Sequence, residues 1–108
     1  MINENSTKEE IVALCWEGAA NAIETYGWIR HKGGSPEEGF CMIGAAAFSF
    51  RPFVHEGVAT MLDFFAFMDK KITPLMNERY GMSLHRANDT RVQNQEEAVA
   101  LCQEISKL

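Results

Sequence analysis

Apolar residues recur at helical spacing along most of this chain. Ile11, Cys15, Ala19, Ala22 and Tyr26 lie three or four apart, with Val12, Trp16 and Ile23 on the flanks. Glu10, Glu17 and Glu24 fall seven apart and mark the wet face. Ser6…Glu9 and Thr7…Glu10 both have capping-box spacing ahead of this stripe. Gly27 is a natural stop, since glycine takes the left-handed conformation after a last turn. The spacing therefore predicts a first helix that ends at Gly27.

Residues 27–39 read as a loop. Ser35-Pro36-Glu37-Glu38 has the cap, the proline and the first-turn acids of a helix start, and Gly39 offers a second start at Phe40. A second helix is expected to begin between the two and to end near Phe50, broken by Arg51-Pro52. A third should run from Val54 or Glu56 to Lys71, apolar around most of its circumference through Met61, Leu62, Phe64, Phe65, Phe67 and Met68. Thr73-Pro74 then starts a short fourth helix, from Leu75 to Tyr80, closed by Gly81. Residues 82–93 are irregular or hold one helical turn. Asn94-Gln95-Glu96-Glu97 opens a last helix with Ala98, Leu101, Cys102 and Ile105 inward. No strong strand-like alternation occurs. The expected fold is mainly α: a compact bundle of four to five helices, with a short β-hairpin near 28–42. It forms a single domain over 1–108, with residues 1–5 disordered.

At 108 residues and 46% hydrophobic content, the chain is long enough for one real core. Its net charge of −5 argues against stable nucleic-acid binding, which phosphate neutralisation drives. Cys15, Cys41 and Cys102 are odd in number and lack C-x-x-C spacing, so they read as reduced thiols. The start lacks the basic region of a signal peptide, and no apolar run approaches the ~20 residues needed to cross a bilayer. A cytoplasmic location with no membrane partner is the expectation.

The order of motifs is distinctive. Gly27-Trp28 follows the first helix, then comes Gly39-x-Cys41-x-x-Gly44-Ala45, then Asn88-Asp89 ahead of the capped last helix. From about residue 10 to residue 106 this resembles a family of small domains of unknown function common in bacteria and their viruses. Its signature reads G-W, G-x-C-x-x-G-A and W-N-D-x-x-x-R-T. The third motif departs from the pattern: Ala87 stands in place of the aromatic, and Gln93-Asn94 in place of Arg-Thr. Asn94 still suits a helix cap, and Arg86 or Arg91 is available to pair with Asp89. The resemblance implies a mostly helical fold and carries no activity.

Four features bear on chemistry. Cys41, at a helix start, reads as a nucleophile served by His85 and Asp89, or as a small buried residue beside Gly44 and Ala45. Asn88-Asp89 either shapes the turn before the last helix or faces a pocket with His85, Arg86 and Arg91, where arginine forks would suit carboxylate or phosphate. Trp28, Arg30, His31 and Lys32, beside Gly33-Gly34, suit an anionic planar ligand, or else Trp28 plugs the core and the cations are solvated. Six of the seven phenylalanines lie between Phe48 and Phe67, as core, oligomer face or ligand tunnel. No metal site is expected, because His31, His55 and His85 are isolated and His55-Glu56 lacks a second histidine at helical spacing. No glycine-rich phosphate loop is present and no cofactor is expected.

The leading expectation is a non-enzymatic binding protein that forms a homo-oligomer. Its ligand is either a small anion, such as a nucleotide, or a partner protein. Trp28, Arg30, His31, Lys32, Arg86, Asn88, Asp89 and Arg91 form its ligand-binding set. The resemblance adds a viral role in blocking or sequestering a host component. The alternatives are a cysteine-dependent hydrolase or transferase using Cys41, His85 and Asp89, and an oligomeric scaffold.

Overall fold

The first helix begins where the sequence asks for a cap. In the computed structural model, which describes residues 7–108, the Thr7 hydroxyl accepts from the Glu10 backbone N–H at 3.1 Å. The Glu10 carboxylate returns the bond by accepting from the Thr7 N–H, also at 3.1 Å. The expectations for a disordered 1–5 and for Ser6 as a cap lie outside the described residues. Helix α1 (Lys8–Tyr26) buries Ile11, Val12, Cys15, Trp16, Ala19, Ala20, Ala22 and Ile23, and leaves Glu10, Glu17 and Glu24 wet. Gly27 ends it at φ 101°, ψ 165°. That is the mirror image of extended backbone, not the left-handed cap expected, and it sends the chain straight into the Trp28 segment.

Ser35–Glu38 is a turn, not the expected helix start. The Glu38 N–H donates to the Ser35 carbonyl at 3.1 Å and to its hydroxyl at 3.3 Å, with Pro36 at the position where a turn welcomes its fixed φ. The turn joins β1 (Gly34–Ser35) to β2 (Gly39–Phe40), antiparallel, with Gly34 opposite Phe40 and Ser35 opposite Gly39. Phe40 also bridges to Trp28 in parallel sense. The short hairpin expected near 28–42 is therefore present.

Helix α2 (Met42–His55) starts after Cys41 and runs through Pro52. The expected break at Arg51-Pro52 does not occur. A proline removes one helical N–H, and Pro52 is exposed, while Phe50 is fully buried and Phe53 and Val54 pack against the core on either side. The chain turns instead at Gly57, φ 75°.

Helix α3 (Met61–Phe67) therefore starts later than the sequence suggests. Both the Thr60 N–H and its hydroxyl donate to Asp63 Oδ2, at 2.8 and 3.1 Å. A π-helical turn, Met68–Ile72, leads without a break into α4 (Thr73–Tyr80). The Thr73 N–H reaches back five residues to the Met68 carbonyl. This widened turn carries the rod past Pro74, where a separate helix was expected to begin. Gly81 closes α4 in the left-handed conformation, φ 68°, ψ 24°.

Residues 82–93 hold more order than the sequence suggests, namely α5 (Leu84–Thr90), capped by Ser83. Helix α6 (Gln95–Ile105) is capped by Asn94, whose Oδ1 accepts from the Glu97 N–H at 2.8 Å. Counting Met61 to Tyr80 as one rod, five helical rods and the hairpin make up the described residues. The architecture is mainly α. Helix α1 packs on α2, α3 and α6 around one core. Phe50, Phe64 and Phe67 are buried in it and Phe48 and Phe53 partly so, which makes the phenylalanine-rich region mostly interior. Leu62 at 80% exposure and Phe65 at 52% are its most exposed apolar side chains.

Candidate functional site

The segments singled out in the sequence meet at one side chain. Asn88 is 1% exposed on α5. Its Oδ1 accepts from the Trp28 indole Nε1–H at 2.9 Å and from the Met42 backbone N–H at 3.1 Å. Its Nδ2 donates to the Ile29 carbonyl at 3.2 Å and to Asp89 Oδ1 at 3.1 Å. An asparagine amide has two acceptor positions and two donors, so all four are used inside the protein. Asn88 is a latch that ties α5 to the Trp28 segment and to the start of α2.

Asp89 collects the next layer. Its Oδ1 accepts from the His31 backbone N–H at 2.8 Å, and that bond holds His31 at φ 72°, uncommon for a residue with a Cβ. Its Oδ2 lies 3.6 Å from His31 Nδ1 and 3.7 Å from His85 Nε2. Burial pushes the Asp89 carboxyl up, but the His31 N–H, the Asn88 amide and the two imidazoles outweigh it and leave its pKa below the usual carboxylate value. A lowered folded-state pKa stabilises the fold above the unfolded value of about 3.9, and that contribution disappears as pH falls through the folded value. Urea unfolding of Asp89→Asn should accordingly show a shallower loss of stability with acid below about pH 4 than the wild-type chain does.

The remaining members of the expected ligand set stand around this centre. The Arg30 guanidinium lies 5.0 Å from the centroid of the Trp28 ring and donates to the Val92 carbonyl. Lys32 pairs with Glu38 at 2.8 Å. Arg86 and Arg91 are exposed and form no ion pair among the described residues. Trp28, Arg30, His31, Asn88 and Asp89 thus converge, but most of their polar groups already have partners.

Cys41 sits at the N-cap of α2, where its Sγ accepts from the Gly44 N–H at 3.2 Å. It is 7% exposed, and burial pushes its thiol up despite the lowering effect of the Gly44 and Ile43 amides. Cys15 and Cys102 are buried and pushed up to about 12. The His85 imidazole lies against Asp89, whose negative charge raises the Cys41 thiol further. This environment favours the neutral thiol over the nucleophilic thiolate.

A second place touches the phenylalanine-rich region offered as a ligand tunnel, but Arg51 was not among the residues singled out from the sequence. A cleft of about 550 Å3 opens between the hairpin and α2. Gly44, Ala47, Phe48, Arg51 and Val54 line it at helical spacing along α2, joined by Gly33–Pro36, Phe40 and Met61. Gly44 is small because the hairpin lies directly on it: a Cβ there would stand 2.0 Å from the Gly33 carbonyl oxygen. Phe40 and Phe48 rings are 4.9 Å apart, and the Arg51 guanidinium lies 5.9 Å from the Phe48 centroid. Arg51 is the one charged residue of the lining and makes no ion pair among the described residues. The stripe was readable in the sequence, but only if α2 continues through Pro52.

Neither a curated protein nor a solved structure matches the chain. A protein-family match covers residues 7–107, from the Thr7 cap almost to the end of the chain. The span includes the Asn88 latch, the Cys41 cap and the α2 cleft, and on it the chain belongs to a family of unknown function, DUF6197.

Proposed function

We propose that this chain is a non-enzymatic binding protein whose ligand is a small anion seated in the cleft between the hairpin and α2. The lining of the cleft carries this reading: it holds mostly apolar side chains, the Ser35 hydroxyl and one guanidinium, and no carboxylate. Its volume falls within the roughly 300–1,000 Å3 typical of small-molecule sites. Arginine presents a planar fork of donors and keeps its charge at any working pH. The cluster around Asn88 is the weaker seat, because that amide has no free hydrogen-bonding position and Arg30 already donates to Val92.

Thermal shift against inorganic phosphate, AMP and simple organic acids tests the proposal. A ligand at a hundred times its Kd stabilises by ~2.7 kcal/mol, which for a domain of this size raises Tm by roughly 10 °C or more. At least one anion should do so in the wild-type protein, with the shift largely lost in Arg51→Gln. No shift from any anion, or an equal shift in the variant, rules the reading out.

A further inference from the structure

If a small anion occupies the cleft, its chemistry follows from the lining, and we infer that it is a carboxylate on an apolar body, such as a fatty or arylalkyl acid. The usual seat for a phosphate is the free amides at a helix N-terminus. At the start of α2 most of those amides are taken, and the Ile43 N–H faces the Cys41 sulfur. The Met42 N–H donates to Asn88, the Gly44 N–H to Cys41 Sγ and the Ala45 N–H to the Cys41 carbonyl. In the hairpin turn the Glu38 N–H is held by Ser35, and the Cys41 N–H by Gly33. A phosphate dianion would meet a single guanidinium and few other donors.

A carboxylate fits that inventory. Its two oxygens match one guanidinium fork, and its single charge matches the single charge of the lining. The remainder of the ligand would lie against Phe40, Phe48, Ala47, Val54 and Met61. Those side chains offer apolar contact and no hydrogen-bonding pattern for a nucleobase or sugar. Arg51 itself is exposed at the rim, so an acid could enter with its body first and leave its charged end against solvent.

Calorimetric titration of the whole chain with phenylacetate, octanoate, 2-phenylethanol and AMP tests this inference. Phenylacetate and octanoate should bind, with phenylacetate at least about tenfold tighter than its uncharged counterpart 2-phenylethanol. Arg51→Gln, at an exposed position, should erase that preference, and Ala47→Trp should abolish binding by filling the cleft. Equal binding of phenylacetate and 2-phenylethanol overturns the inference. Arg51-dependent binding of AMP without binding of either acid also overturns it, while the small-anion reading stands. Absence of binding by all four overturns this inference, and overturns the small-anion reading too when inorganic phosphate gives no thermal shift either.

Discussion

Asn88→Ala is expected to lower the unfolding free energy by roughly 3–5 kcal/mol, among the largest effects of any single substitution. The change strands three partners at once. The Met42 N–H is buried, and the Trp28 indole and Ile29 carbonyl are partly so. Each unsatisfied buried group costs about 1–3 kcal/mol, and water reaching the Trp28 side trims the total. Asn88→Leu, which keeps the volume, should cost as much, because the loss is in hydrogen bonds and not in packing. Urea denaturation monitored by circular dichroism checks both variants. A loss below about 1 kcal/mol in either would mean that Asn88 does not tie these segments together.

Gly44→Ala should be the other severe change. The new methyl carbon would stand 2.0 Å from the Gly33 carbonyl oxygen and 2.9 Å from the Gly33 Cα. Those are backbone atoms, so no side chain can rotate aside. The hairpin has to lift, and the bond from the Cys41 N–H to the Gly33 carbonyl, 3.2 Å long, goes with it. Overpacking of this kind costs about 1–3 kcal/mol, and more where backbone must move. Denaturant midpoints measure the loss, and amide exchange at Cys41 should quicken. Gly57→Ala is the control: its φ is 75°, but nothing lies within 4 Å, so it should cost only the backbone strain of about 1–2 kcal/mol.

Helix ends with a local cap were legible in the sequence. Thr7 with Glu10 and Asn94 with Glu97 sit three residues apart, and the structure forms both caps. Ser35-Pro36-Glu37-Glu38 misleads because a helix start and a proline turn share the same first residues. What decides between them is distant: the hairpin is pressed onto Gly44, and its strands begin at glycines with φ near 93–94°. Pro52 and Pro74 mislead for a related reason. Read alone, Pro52 is a stop and Pro74 a start, but packed helix on both sides outweighs one missing hydrogen bond.

The site was legible only in part. Gly27-Trp28, Gly39–Ala45 and Asn88-Asp89 stand out as separate segments, and nothing in spacing says that they touch. Asn88 meets Trp28 across 60 positions and Met42 across 46, distances over which side-chain periodicity carries no information. The cleft was hidden by a single misreading: with α2 ended near Phe50, Arg51 becomes punctuation and falls out of the stripe that begins at Gly44.

The wide turn at Met68–Ile72 sets the phase of everything after it. Phe64 and Phe67 are buried three apart, Ile72 follows after five residues, and Met76 after four more. In an unbroken α-helix a five-residue step advances about 500°, so Ile72 would sit ~140° around the axis from Phe67. Accommodating one extra residue in the turn winds that error back. The rod is thus a two-segment screw with one thread skipped, and its halves share a single inward face because the spare residue was spent in the coil beside Pro74.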